Sequence, residues 1–136
     1  MNNSEKPQVL LYQEIGQLFY AIAAADKVVR KAEYEALRNL VKLEWSSMND
    51  YVDEFGVNAV YQMEIVFDWF DYEQLDANDC FKSFAQYYKD HKNVFSENQK
   101  QLLWKTANAI AGSFAGKNKS ELILLAKLHL LLQKEN

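Results

Sequence analysis

The sequence predicts an all-α protein: a single-domain bundle of about six to seven helices, spanning residues 1–136, with two related helical hairpins. One Pro and four Gly in the whole chain leave few residues that interrupt helices. Apolar residues recur at helical spacing, as Leu11, Ile15, Leu18 and Ile22 do. A chain of 136 residues has the length of one domain and can bury a core of its own.

Six helices are expected in chain order. The predicted bounds of the first four are Pro7–Ala25, Lys31–Trp45, Val57–Phe70 and Ala77–Lys92. The last two begin at capping boxes, in which two side chains satisfy each other's backbone N–H groups. The boxes are Ser96 with Gln99, and Asn118 with Glu121 in a helix that ends near Gln133. The polar segment Ser46–Gly56 is expected to form a loop with at most one helical turn.

Two of these helices carry apolar residues on more than one side. The helix at 57–70 has Ile65 and Trp69 opposite Met63 and Phe67, so we expect it to lie between neighbours. The last helix is dense in leucine, which predicts either a central helix or one that buries a second face in a partner. The fifth helix is expected to bury Leu103, Ala107, Ile110 and Phe114.

Composition and charge exclude several classes of protein. A net charge of −4 argues against a nucleic-acid partner, since phosphate binding requires clustered Lys and Arg. The single cysteine, Cys80, has no partner for an internal disulfide, which indicates a reducing compartment. The N-terminus lacks the layout of a signal peptide, and no apolar run approaches the roughly 20 residues of a membrane span. A cytoplasmic protein is therefore expected.

The chain contains an internal repeat. Ala21–Leu43 aligns without a gap on Ala109–Leu131 at an offset of 88, and eight of the 23 positions agree. The break between the two helices and the Glu that follows it, Glu33 or Glu121, fall in register. This pattern predicts a duplicated helical hairpin. The alternative is two unrelated amphipathic hairpins that share their period and caps.

Asp26 and Glu33 form the candidate metal site. They lie seven residues apart across the break of the first hairpin, so the two carboxylates are expected to approach one another. With backbone carbonyls and a third acid they would hold Ca²⁺ or Mg²⁺ weakly, although the loop does not have the EF-hand pattern. The alternative is structural, because Glu in a first turn complements the helix dipole and Asp commonly forms turns. In the second hairpin Phe114 stands in place of the Asp.

No catalytic motif is present, so we predict that the protein is not an enzyme. The acidic run Asp68–Asp79 is a second candidate for binding a cation or a partner, although such runs are usually solvated loops. A hydrolase using Asp68, Asp71 or Glu73 would need surroundings that separate their pKa values. His91 and His129 lack ligand partners at helical spacing, so structural roles are expected for them.

The stretch AIAAADKVVRKAEYEALRNLV resembles the tellurite-resistance protein B (TerB-like) family. In that family an Ala-rich helix end runs into Ala-Asp-Gly, and a Glu opens the next helix. The matching residues here are Ala25, Asp26 and Glu33, with Lys27 in place of the Gly, and Ala109–Leu131 resembles the second half-motif. The resemblance implies a bacterial, cytoplasmic, all-α bundle of two related halves with an acidic patch proposed to bind metal. Relatives of the domain also occur attached to membrane-bound J-domain co-chaperones.

Together these observations predict a non-enzymatic TerB-like helical module, related to stress resistance, that binds another protein and holds a weak divalent cation at Asp26 and Glu33. The alternative is a purely structural subunit of a homo-oligomer without metal, prompted by the leucine-dense last helix and the 14% of aromatic residues.

Overall fold

The computed structural model describes residues 5–48, 51–113 and 116–133, and it confirms the all-α class. The six α-helices are α1 (Glu5–Ala23), α2 (Lys31–Leu40), α3 (Gln62–Glu73), α4 (Ala77–Asp90), α5 (Glu97–Ala111) and α6 (Lys119–Gln133). The described residues contain no strand, only an isolated antiparallel bridge between Val52 and Asn58. All six helices contribute to one hydrophobic core.

Helix α1 is the centre of the bundle. It packs against α3, α4 and α5, and more lightly against α2 and α6. Its side chains at Leu11, Ile15, Leu18 and Ile22, one helical repeat apart, are fully buried. Ala21 and its neighbours are buried as well, so the second half of α1 is covered on all sides. The sequence had offered α6 as the central helix, and the structure assigns that place to α1.

Helix α3 crosses α1 at very short range because Gly16 has no side chain. A Cβ atom built on Gly16 would lie 2.6 Å from the carbonyl oxygen of Met63 and 2.8 Å from its Cα. Real Cβ atoms essentially never approach backbone atoms this closely. The helix tolerates the glycine because the close approach lets the apolar faces of α1 and α3 interlock.

The predicted second helix extends to Trp45, as expected, but its last turn is wider than an α-helix. Val41–Trp45 is a π-helical turn, and Ser46–Met48 is a 3₁₀ turn within the segment expected to be a loop. The widened turn brings the Trp45 indole into the core. There its Nε1 donates a hydrogen bond to Oγ1 of Thr106 on α5, at 3.0 Å, and its ring meets Tyr12 edge-on.

Helix α3 differs from the expectation at both ends. A 3₁₀ turn at Ala59–Tyr61 leads into it, and the helix continues past Phe70 to Glu73. Gln74 then ends it with a left-handed φ of 55°. The acidic run is therefore not one loop, because Asp68, Asp71 and Glu73 lie on α3.

The expectation that this helix lies between neighbours is wrong. Its inner residues Met63 and Phe67 are buried, and Phe67 stacks on Tyr34 of α2. Its outer residues Ile65 and Trp69 are 55% and 59% exposed. The apolar residues on two sides of this helix indicated burial on both, but α1 and α2 cover only one of them.

Helices α5 and α6 begin where their predicted caps lie. The boxes of Ser96 with Gln99 and of Asn118 with Glu121 are both formed. Phe114 lies outside the described residues, whereas the rest of the predicted stripe on α5 is buried.

Helix α6 buries one face, formed by Leu124, Leu125, Leu128 and Leu131, against the bundle. Leu122, Ile123 and Leu130 on its other face are exposed, so α6 is not a central helix. That this second apolar face binds a partner stays a prediction. Within the described ranges, no helix combines the length and apolar character needed to cross a membrane.

Candidate functional site: the paired elbows

The connections between α1 and α2 and between α5 and α6 have the same length and lie in register. We call residues 24–33 the first elbow and residues 112–121 the second elbow. The preceding helices end at Ala23 and Ala111, and the following helices begin at Lys31 and Lys119, each pair 88 positions apart. The register predicted from the repeat is thus confirmed by the helix ends, while a duplication as its origin stays a prediction.

Asp26 organises the first elbow. Its Oδ1 accepts a hydrogen bond from the Val28 N–H at 3.1 Å, and its Oδ2 accepts one from Nη1 of Arg30 at 2.8 Å. Burial alone would raise the pKa of Asp26, but the hydrogen bonds from Arg30 and Val28 outweigh it and hold the pKa below its usual range. Asp26 is therefore an ionised carboxylate. Lys27 adopts a left-handed φ of 70°, a conformation that glycine adopts more readily than other residues.

Glu33 closes the first turn of α2. Its Oε1 accepts a hydrogen bond at 2.7 Å from the backbone N–H of Arg30, the N-cap residue. The acid thus lies at the positive end of the helix dipole, as the structural alternative predicted. Unlike an ordinary solvated acid in a first turn, however, Glu33 is only 1% exposed.

The first turn of α6 repeats the capping arrangement of Glu33, and it contacts the first elbow. Glu121 accepts a hydrogen bond from the Asn118 N–H, and the Asn118 side chain accepts one from the Glu121 N–H, both at 2.9 Å. The side-chain amide of Asn118 also donates to Oδ2 of Asp26 at 2.8 Å. Asn118 therefore caps its own helix and at the same time ties the two elbows together.

The two first-turn glutamates meet inside this junction. Glu33 and Glu121 are each 1% exposed, and the Glu121 carboxyl lies near enough to affect the pKa of Glu33. Burial raises the pKa of Glu33 to about 8, and the neighbouring Glu121 carboxyl adds to this rise against the opposing effect of the Arg30 N–H. Glu33 is therefore mainly protonated at neutral pH, and its carboxyl can donate this proton, which we call the shared proton, in a hydrogen bond to Glu121.

The two predicted metal ligands share a partner residue. Asp26 and Glu33 both bind Arg30, the former through its guanidinium and the latter through its N–H. The carboxyl that Glu33 meets is that of Glu121. In the part of the chain that the structure describes, no group of three or more His, Cys, Asp or Glu side chains is arranged to hold a metal ion. Metal binding at Asp26 and Glu33 stays a prediction.

Arg30 and Asn118 were missed as site residues. Asn118 carried a local signal, its capping-box spacing, but nothing in the sequence near it shows that it binds Asp26, 92 residues earlier.

The other candidate residues have structural surroundings. His91 stacks on Tyr87, and its Nδ1 lies 2.9 Å from the Tyr87 carbonyl oxygen. His129 packs beside Trp104. Cys80 is buried, and burial followed by the charges of Asp76 and Asp79 raises the pKa of its thiol to about 11, which disfavours the reactive thiolate.

Comparison of the chain with protein-family models, with curated proteins and with solved structures finds no match. The resemblance to the TerB-like family therefore rests on the motif residues alone.

The shared proton predicts a pH dependence of stability. Glu33 has a higher pKa in the folded protein than in the unfolded chain, so between about pH 5 and pH 8 the folded state binds more protons. The free energy of unfolding should then fall as the pH rises through this range. The loss should be on the order of a few kcal/mol, since one pKa unit corresponds to about 1.4 kcal/mol.

Glu33→Gln tests this prediction, because the amide would accept from Arg30 and donate permanently to Glu121. Urea unfolding across this pH range should show a flatter profile for Glu33→Gln than for the wild type. Glu35→Gln, on the exposed side of the same helix, should keep the wild-type profile. Identical profiles for wild type and Glu33→Gln would contradict the shared proton.

Proposed function

We propose that the protein is a non-enzymatic helical module that binds another protein. One observation carries this proposal: large apolar side chains point outward on two separate helices, where nothing in the bundle covers them. Trp69 and Tyr72 on α3 are 59% and 84% exposed, and Leu130 on α6 is 66% exposed. Clustered apolar surface of this kind marks interaction sites more often than isolated exposed residues do.

The finer identity is part of the same proposal. A TerB-like module, bacterial and cytoplasmic, with a role in tellurite or other stress resistance, is supported by the motif at Ala25–Lys27 and Glu33. The left-handed turn at Lys27 and the matching elbows are what such a module would need. The buried contact between Glu33 and Glu121 would then hold the two hairpins together. The outer helix faces would remain for partners.

Site-specific photocrosslinking in cells tests the proposal. A photoreactive phenylalanine derivative would replace Tyr72 on α3, Leu130 on α6 or, as a control, the exposed Lys89 on α4. We expect covalent adducts with other proteins from position 72 or position 130, and none from position 89. Adducts from none of the three positions would contradict an interaction module.

A homo-oligomeric structural subunit is the alternative, and the exposed leucine face of α6 favours it. Obligate interfaces are large and apolar, so such a subunit would not exist as a monomer at tens of micromolar. Light scattering at that concentration decides between the two: a monomer supports the interaction module, and a stable oligomer that is disrupted by Leu130→Asp supports the alternative.

A weak divalent cation at the elbows is a second candidate function. Two carboxyl groups, Glu33 and Glu121, lie together, with Asp26 in the same junction. Ca²⁺ or Mg²⁺ would replace the shared proton there and take carboxylate oxygens as ligands. Since the proton competes with the ion, binding should strengthen as the pH rises.

Melting temperatures in millimolar Ca²⁺ or Mg²⁺ test the cation. We expect an increase of a few degrees at about pH 8.5 and a smaller one at about pH 6, because bound ligand stabilises the folded state and protonation opposes it. Asp26→Asn and Glu33→Gln should remove the increase, and Glu35→Gln should keep it. No increase for the wild type at either pH would leave the elbows as a purely structural junction.

A further inference from the structure

The charges of the chain are strongly segregated along the sequence. Residues 43–81 contain ten Asp and Glu and no Lys or Arg, so all 15 basic side chains lie elsewhere. Most of the exposed large apolar side chains in the described part of the molecule lie in the same segment. This segment of the chain therefore combines exposed apolar side chains with negative charge.

Helix α3 presents the best-defined part of this surface, which we call the α3 ridge: Ile65, Asp68, Trp69 and Tyr72. These four residues follow the i, i+3, i+4, i+7 spacing and so share one face of the helix. Ile65, Trp69 and Tyr72 expose more than half of their surface. Trp and Tyr are the residue types that contribute most often to binding energy in interfaces.

Negative charge flanks the ridge. Asp68 lies on it, and the exposed Glu73 and Asp76 follow at its C-terminal end. Within the described residues neither Asp68 nor Glu73 forms an ion pair, whereas Glu64 nearer the start of the helix is held by Arg38 at 3.6 Å. The unneutralised acids thus lie beside the exposed aromatic rings.

We infer that the α3 ridge binds a basic amphipathic helix of another protein. The apolar stripe of that helix would cover Ile65, Trp69 and Tyr72, and Lys or Arg at its edges would meet Asp68 and Glu73. Complementary charge at such a rim speeds association and selects the partner, and its effect weakens with salt. This inference rests on the proposed function and names the chemistry of the partner.

The exposed face of α6 does not fit the same partner. Its apolar residues are accompanied by Lys119 and Lys127, and its one acid, Glu121, is buried in the elbows. With apolar and basic side chains together, the exposed face of α6 has the chemistry of the proposed partner. The α6 face of a second copy of the chain could therefore occupy the ridge instead. The net charge of −4 repels a second copy, which favours a different, basic protein.

A synthetic amphipathic helix of Leu and Lys, labelled with a dye, is the probe. We expect it to bind the intact protein with an affinity that falls at least tenfold in the double variant Ile65→Ala with Tyr72→Ala. The matched α6 double variant, Leu122→Ala with Leu130→Ala, should bind as the wild type does. Binding should also shift the fluorescence of the exposed Trp69 to shorter wavelength, a change that Trp69→Phe removes.

Three results would overturn the inference. The first is equal binding of a peptide of the same pattern with Glu in place of Lys. The second is an equal loss in the ridge and α6 variants. The third is a self-association of the wild type that the ridge variant abolishes, which would place a second copy on the ridge. In each case adducts from the crosslinking experiment at position 130 would leave the proposed function standing, so the two failures are distinguishable.

Discussion

Replacing Trp45 by Ala will lower the free energy of unfolding by about 4 kcal/mol, the usual range for removing a buried Trp. The Trp45 side chain is fully buried where α1, α5 and the π-helical turn meet. Its ring packs edge-on against Tyr12 and Phe19. The substitution removes these contacts, leaves a large cavity, and deprives Thr106 of the indole N–H. Urea unfolding monitored by circular dichroism at constant pH measures the effect.

Two further variants separate the causes of this loss. Thr106→Val keeps the packing but leaves the buried indole N–H without its acceptor, and it should cost about 1–3 kcal/mol. Trp69→Ala removes the same side chain from the exposed ridge and should change stability by less than about 0.5 kcal/mol. If Trp45→Ala and Trp69→Ala have equal effects, the placement of Trp45 in the core is wrong.

Gly16→Ala will destabilise the protein by about 3 kcal/mol, at the upper end of the usual cost of overpacking. The added methyl group would overlap the backbone of Met63, and backbone atoms have no rotamer to move away into. Helices α1 and α3 would have to separate along their shared face. The loss should appear although alanine favours a helix over glycine by up to about 1 kcal/mol.

Gly112→Ala is the matched control. A Cβ atom there would lie 3.3 Å from the Asn108 carbonyl oxygen and 3.7 Å from Nζ of Lys117, a flexible side chain. Its φ of −91° suits any residue, so we expect a change of less than about 1 kcal/mol. Equal destabilisation by both substitutions would show that the α1–α3 crossing is not closer than elsewhere in the bundle.

The six helices, and the starts of α5 and α6, could be predicted because the signals are local. The capping boxes at Ser96 and Asn118 act over three residues, and the apolar period of each helix is visible within its own segment. The repeated spacing around Glu33 and Glu121 was visible for the same reason, since it needs only a comparison of two short stretches. Local signals of this kind do not state which faces meet.

For the candidate site, the sequence marked the acids but not the partners that the second hairpin supplies. Asp26 and Glu33 were paired because they are seven residues apart, and the fold adds Glu121 beside Glu33 and Asn118 beside Asp26. Burial then changed the chemistry: an acid expected to be a ligand at a helix start holds a shared proton. Contacts between the two elbows and the burial of Glu33 depend on how the hairpins pack. The spacing of residues in the sequence does not predict either of them.

By itself the sequence determined six helices, the caps of α5 and α6, the register of the two elbows and the segregation of charge, since hydrogen bonds and periodicity within a few residues suffice for these. Only the tertiary structure decided that α1 is central, that one face of α3 stays exposed and that Glu33 meets Glu121. Several helices are apolar enough to be buried, so their own sequences do not decide which one lies at the centre. The close approach at Gly16 and the packing around Trp45 decide which helices are buried.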